Sequence, residues 1–228
     1  MLPSSTVENY LKAIYLGTAQ GPDDDRLPMG QLATALGVVP GTATTMVKTL
    51  AESGLVDYEP YNGVRLSPAG LTLAALVLRR HRLIELFLVR VMGLGWDEVH
   101  DEAEHLEHVV SDRLIARMDE MLGFPEVDPH GDPIPNAAGE FPVHDSATLL
   151  TCETGTPVTV TRITDQEAGF LRFVQLHGLM PGHVLQVEAR DESADSVALT
   201  SREGQRLTIG TRAASKVRVS ASQASSRA

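Results

Sequence analysis

The apolar positions of this chain open in a helical rhythm. Between Thr6 and Leu16 they fall at 7, 11 and 14 and at 10 and 16, behind a Ser/Thr cap, which predicts a first helix. Residues 29–36 predict a short helix stopped by Gly37, and residues 42–52, after Val38-Val39-Pro40-Gly41, predict a second that ends at Ser53-Gly54. Residues 55–59 and 64–66 flank a Pro60-to-Gly63 turn and read as a two-stranded hairpin. Helix, helix, tight turn, helix, hairpin is the order of a winged helix-turn-helix.

Ser67-Pro68 then opens a long helix to about Val91, with Pro68 in its first turn, where its missing N–H is harmless. Gly93 to Gly95 breaks it, and residues 96–122 predict another long helix. Apolar positions on these helices, including Leu76, Leu83, Leu86, Phe87, Val109 and Leu114, exceed what a small winged-helix core needs and predict a two-fold interface. Residues 123–146 hold five of the thirteen prolines and read as a linker. From about Thr156 short alternating stretches separated by Gly and Asp turns predict strands, interrupted by one helix over 168–177. Small strands with such turns suggest an SH3-like barrel. The Ser/Ala-rich residues 221–228 read as a disordered tail. The expected class is α+β, mostly α.

With 228 residues, 43% of them apolar and 21% charged, the chain can bury a real core. A net charge of −11 argues against a nucleic-acid binder, but the excess is local. Residues 1–95 carry eight basic and eight acidic side chains, residues 96–150 two and fourteen, and residues 151–228 nine and eight. The acidic middle is thus a solvated face or a cation site. The single cysteine, Cys152, excludes an internal disulfide framework. The N-terminus has no signal-peptide pattern, and the uncharged run 27–47 carries too many Pro, Gly and Thr residues for a membrane span. A soluble, cytoplasmic protein without membrane attachment is the expectation.

At about 100° per residue, His100, Glu104, Glu107 and His108 fall within one arc of a helix. His81 and Glu85, four apart, share a face of the preceding helix. If the two helices pack antiparallel, six nitrogen and oxygen donors converge, a set that suits a first-row divalent metal. Singly, each is ordinarily a solvated surface group; jointly, their spacing favours a metal site. No HExxH or nucleophile motif accompanies them, so an enzyme is not expected. For DNA, Thr42, Thr44, Thr45 and Lys48 lie on the second helix of the helix-turn-helix and Arg65 on the hairpin. Threonine can meet thymine methyls and phosphates, and the two cations can neutralise phosphates.

The run His100-Asp101-Glu102-Ala103-Glu104-His105-Leu106-Glu107-His108-Val109 resembles the metal motif of the diphtheria toxin repressor family. Arg80-His81-Arg82-Leu83 with Glu85, Val7-Glu8-Asn9-Tyr10-Leu11 with Ile14-Tyr15, and Asp132-Pro133-Ile134-Pro135 match as well, in family order over nearly the whole chain. The resemblance implies a winged-helix DNA-binding domain (1–72), a helical dimerisation and metal-binding domain with its proline-rich linker (73–146), and an SH3-like, ferrous-transport-type domain (147–220). Carried over by position, His81, Glu85 and His100 fall on one family metal site and Glu104, Glu107 and His108 on the other. Iron regulators of the family have cysteine where this chain has Glu104, and manganese regulators have glutamate. The first-helix ligand, usually Met or Asp, is Asn9 here, with Glu8 as the substitute. The manganese branch tends to have an acidic residue where this chain has Lys12. In the SH3-like domain Gln166 and Glu167 are the nearest candidates for further ligands.

These readings combine into a homodimeric transcriptional repressor of metal-homeostasis genes, activated by Mn2+ or by Fe2+, that binds a pseudo-palindromic double-stranded operator. The rivals are an iron-responsive regulator of the same family and a metal-dependent hydrolase or metal store carrying a winged helix.

Overall fold

Ser4 starts the first helix by offering its hydroxyl to the Val7 amide and its carbonyl to the Glu8 amide. The computed structural model describes residues 4–18, 26–142 and 147–222. Their contacts divide the chain into two compact units. One contains Met1–His81, Glu107–Ser111 and Ile134–Pro142, and the other Arg82–Leu106, Asp112–Pro133 and Val143–Ala228.

The first unit begins with α1 (Ser5–Thr18), α2 (Met29–Ala35) and α3 (Pro40–Glu52), followed by an antiparallel hairpin of β1 (Val56–Glu59) and β2 (Gly63–Leu66). Pro40 occupies the first turn of α3, where its fixed φ suits a helix start. The core is Tyr10, Leu11 and Ile14 of α1 against Leu32, Ala43, Val47, Leu50, Val56 and Val64. Leu27 adds a bridge to Val64, with both backbone hydrogen bonds at 2.8–3.0 Å. Gly63 is required there: its φ is +109° and a Cβ would sit 2.5 Å from the Leu27 carbonyl oxygen. These are the predicted winged-helix elements in the predicted order.

Helix α4 (Pro68–Arg90) starts in the first unit and ends in the second. The predicted helix over 96–122 is instead two, α5 (Val99–Leu106) and α6 (Asp112–Met121). The β-branched pair Val109-Val110, followed by Ser111 and Asp112, which favour helix starts, explains the interruption. Glu107 and His108 consequently lie in a turn, off the helix that carries His100 and Glu104. Of the expected interface positions, Leu83 and Leu86 are buried within the chain, whereas Val109 and Leu114 are exposed.

The second unit holds an antiparallel six-stranded sheet, in the order β3-β8-β4-β5-β6-β7, formed by β3 (Ala147–Thr148), β4 (Pro157–Ile163), β5 (Val184–Asp191), β6 (Ser196–Ser201), β7 (Arg206–Gly210) and β8 (Val217–Ala221). Register shifts in β4 and β5 bend it, and α7 (Ala168–Leu176) and the short α8 (Thr211–Ala214) join it. Alternate residues Val158, Val160, Leu185, Val187, Val197, Leu199, Val217 and Val219 point into one core with Leu171, Val174, Leu179 and Trp96. Trp96 donates its indole N–H to Gln175 Oε1 at 3.0 Å.

The predicted linker contains a buried turn at its centre. Asp128, His130 and Asp132 are all buried, and Val127 bridges Pro133. Prolines here fix a fold-back instead of loosening the chain. Residues 143–146 of that stretch, the acidic residues 23–25 and residues 223–228 of the expected tail lie outside the described residues. Among the described residues no helix is long and apolar enough to cross a membrane.

Because Trp96 is the only tryptophan, its fluorescence reports the second unit. Leu179→Ala, at a fully buried position of that core, should lower stability by about 2–5 kcal/mol in urea unfolding followed by tryptophan emission.

Candidate metal centre and nucleic-acid interface

In the first unit, α1 delivers Glu8, Asn9 and Lys12, α4 delivers Arg80 and His81, and the turn after α5 delivers Glu107 and His108. Glu8, Lys12, Arg80, His81 and Glu107 are all buried. Glu8 is committed through both oxygens: Oε1 accepts from Arg80 Nη2 at 2.5 Å and Oε2 lies 2.6 Å from His108 Nδ1. A carboxylate only accepts, so Nδ1 of His108 carries a proton, and in the neutral ring Nε2 keeps its lone pair. That is the arrangement in which a carboxylate holds a histidine for a metal. Glu8, the substitute ligand expected from the sequence, thus has a protein partner on each oxygen.

Among the described residues of this unit, three buried side-chain atoms lack a hydrogen-bond partner: Asn9 Oδ1, Glu107 Oε1 and His108 Nε2. All three are lone-pair bearers, and the last two stand 3.4 Å apart. Buried acceptors without donors cost about 1–3 kcal/mol each, so they call for a cation. The donor set fits a divalent ion. On the other side of Glu107, Oε2 lies 2.6 Å from His81 Nδ1 and 2.9 Å from Lys12 Nζ. Burial pushes the Glu107 pKa up, but the His81 hydrogen bond and the Lys12 charge outweigh it and hold the carboxyl below its ordinary value.

The second unit has its own cluster. Glu85, fully buried on α4, reaches His100 Nδ1 with Oε1 at 3.3 Å and stands 3.9 Å from His130 Nδ1 with Oε2. His100 Nε2 lies 3.8 Å from Glu104, one turn on along α5. Glu85, Asp128 and His130 each offer a ligand atom within 4.8 Å of the other two. His130 Nε2 lies 2.8 Å from the Trp96 carbonyl oxygen, which can only accept, so Nε2 is protonated and Nδ1 presents its lone pair to the cluster. Asp128 spends Oδ1 on the amides of His130 and Asp132, at 2.8 and 2.9 Å, and Oδ2 has no hydrogen-bond partner. Burial raises the Asp128 pKa well above the carboxylate range, helped by the charges of Asp132 and Glu85 and opposed by Arg82. Gly131 makes the turn: its φ is +85°, and a Cβ would collide with the Thr161 carbonyl.

Neither helical nor alternating periodicity singles out Asp128 and His130, which stand among prolines at 125, 129, 133 and 135 that point to a linker. The signal was the Asp-x-His-Gly spacing, which sets two donors side by side on a turn that only glycine permits. The two candidates from the sheet domain are engaged elsewhere. Gln166 donates to Asp132 at 2.8 Å, and Glu167 caps α7 by accepting from the Gly169 and Phe170 amides.

The candidate DNA surface is α3 and its hairpin. Thr42, Thr45 and Lys48 are exposed and Thr44 is half-buried. Thr44 donates its hydroxyl proton to the Pro40 carbonyl at 2.8 Å and Thr45 to Gly41 at 2.9 Å. Their hydroxyl protons are thus spent on their own helix, which leaves γ-methyls and oxygen lone pairs for a ligand. Arg65 pairs with Asp57 across the hairpin at 3.2 Å.

Three family models match the chain. "Iron dependent repressor, N-terminal DNA binding domain" covers residues 3–64, "Iron dependent repressor, metal binding and dimerisation domain" residues 67–136, and "FeoA domain" residues 147–221. The iron-dependent repressor IdeR of Mycobacterium tuberculosis is 30% identical over 210 residues, 87% of this chain and 90% of that protein. A solved manganese-dependent transcriptional repressor in complex with manganese is 43% identical, with a TM-score of 0.86 over 94% of this chain and 99% of that one. The manganese regulator SloR is 31% identical, with a TM-score of 0.76 over 97% and 100%.

The raised Asp128 pKa has a definite sign. In the metal-free protein its contribution to stability is complete below the unfolded value of about 4 and is lost as pH rises through the native value. Asp128→Asn should raise the melting temperature of the metal-free protein at neutral pH and flatten its fall over that window, read by thermal scans with a chelator present.

Proposed function

The chain belongs to the iron-dependent repressor family of metal-dependent transcriptional repressors, and from that premise we propose that it is a Mn2+-activated repressor that binds its operator as a homodimer. The observation that carries this reading is the set of buried lone pairs on Glu107, His108 and Asn9 beside α1, the first helix of the DNA-binding fold. Mn2+ is favoured over Fe2+ by the donors: oxygen and nitrogen throughout, with Glu104 where a thiolate would select softer ions. Fe2+ is the second metal the same donors accept.

The proposed ligands are Glu107, His108 and Asn9 in the first unit, where His81 meets the other oxygen of Glu107, and Glu85, His100 and Glu104 in the second, joined there by Asp128 and His130. A bound divalent ion supplies positive charge that the buried carboxylates and imidazoles share. Glu8 holds His108 in the coordinating tautomer, and Arg80 holds Glu8. Glu107 and His108 then tie the turn after α5 to α1, which fixes the winged helix for binding. Such a switch works only if the ion binds the DNA-competent arrangement more tightly than the alternative. The proposed division is 1–72, 73–146 and 147–220, and the matched families at residues 3–64, 67–136 and 147–221 support it. A cytoplasmic, non-enzymatic role accords with relatives that are transcriptional repressors.

On DNA, Thr42, Thr44, Thr45 and Lys48 of α3 and Arg65 of the hairpin are the proposed contacts, with Val39, 68% exposed just before α3, as an apolar neighbour. The committed threonine hydroxyls favour readout through methyl groups.

Two measurements test the reading. Mn2+ titrated against a labelled operator should switch binding on in the wild type. Glu107→Ala and His108→Ala should abolish that response with the circular dichroism spectrum unchanged; metal-independent binding, or variants that respond normally, would refute it. For readout, Thr45→Val keeps the methyl and should bind nearly as well as wild type. Thr45→Ser keeps the hydroxyl and should lose roughly 1 kcal/mol, about the burial of one methyl, measured by fluorescence anisotropy.

A further inference from the structure

Lys12 cannot coordinate a metal while charged, yet it is buried among the metal donors. Its ammonium lies 2.9 Å from Glu107 Oε2 and 3.0 Å from His81 Nδ1, and those two atoms are 2.6 Å apart. The side chains of Lys12 and Glu107 are 7% and 0% exposed, so water screens little of this attraction. The triangle cannot be three hydrogen bonds. His81 Nδ1 either carries a proton for Glu107 or offers a lone pair to Lys12, and in both cases Lys12 donates to Glu107 Oε2.

The carboxylate of Glu107 is therefore divided. Oε2 is held by a cation the chain supplies itself, while Oε1 has no hydrogen-bond partner and stands 3.4 Å from His108 Nε2, also without one. We propose that Lys12 is a tethered cation occupying the His81–Glu107 side of the cluster, so that the first unit accepts one divalent ion, on the Glu107 Oε1–His108 Nε2 side, where two could otherwise bind. Two consequences follow from charge. Lys12 stabilises the metal-free cluster by neutralising Glu107, and it weakens metal affinity by placing a positive charge beside the incoming ion. This single residue on α1 thereby sets both the number of ions in the unit and the concentration at which they bind. The inference rests on the metal-activated reading above.

The test uses the full chain without DNA, by calorimetric titration with Mn2+ and by thermal melting in chelator. Lys12→Met should bind Mn2+ at least tenfold more tightly, since about tenfold is what a unit charge roughly 5 Å from a divalent ion costs even at the dielectric constant of water, and should melt at a lower temperature when metal-free. Lys12→Glu should take up one more Mn2+ per chain than wild type, and a pair of neighbouring ions should give an exchange-coupled electron paramagnetic resonance signal. Lys12→Arg should keep the wild-type stoichiometry. If wild type binds Mn2+ but Lys12→Met shows unchanged affinity and unchanged metal-free melting, the tethered-cation role is wrong and the metal-activated reading stands. An Mn2+ stoichiometry in Lys12→Glu equal to wild type would likewise overturn it. If wild type binds no Mn2+, both readings fail together.

Discussion

Buried acceptors that outnumber their donors are the constraint on which the rest of this structure depends. Glu8, Glu85, Glu107 and Asp128 are removed from water, and each negative charge must meet a cation, a proton or an N–H. The chain answers each differently. Arg80 and His108 satisfy Glu8, His100 meets Glu85, Lys12 takes half of Glu107, and burial beside other carboxylates drives Asp128 toward its protonated form. What remains after this internal compensation is a small number of oriented lone pairs. A divalent cation is the species that satisfies several of them at once, and its binding energy is then also folding and switching energy.

The same device orients both histidines that face such lone pairs. His108 gives its Nδ1 proton to Glu8, and His130 gives its Nε2 proton to the Trp96 carbonyl. In each ring the opposite nitrogen is left as a donor atom for a cation, with the tautomer set by an acceptor that has no proton to give. Their surroundings differ in kind. His108 is anchored to a helix of the winged-helix fold, whereas His130 is anchored by the tryptophan at the centre of the sheet domain's core. In the proposed function, metal binding in one unit would bear on α1, and in the other on a β-rich core.

The nucleic-acid face obeys a related economy of polar groups. A recognition helix rich in threonine could read DNA through hydroxyls or through methyls. The helix itself decides, because Thr44 and Thr45 return their protons to carbonyls one turn back. The cations that remain at this face are few, Lys48 on α3 and an Arg65 already paired with Asp57. This supports the proposed readout, in which apolar complementarity carries more of the specificity than phosphate contacts.

Much was legible in the residues alone. The winged-helix order follows from the 3.6-residue rhythm of α1 to α3 and the alternation at β1 and β2, because burying one face of each element requires that pattern whatever its neighbours. That His81, Glu85, His100, Glu104, Glu107 and His108 offer only oxygen and nitrogen donors is likewise composition and spacing. Tertiary structure decided the rest. Periodicity continued one helix through Val109-Val110, where the chain turns and swings Glu107 and His108 away from it. Proline counting made a linker of a turn whose Asp128 and His130 are buried by a sheet more than twenty-five residues away in sequence. Which oxygen of Glu107 is occupied, which nitrogen of His108 is bare, and that Lys12 sits inside the cluster depend on donors brought from distant segments. Local sequence sets what a side chain can donate or accept; only packing sets what is left over.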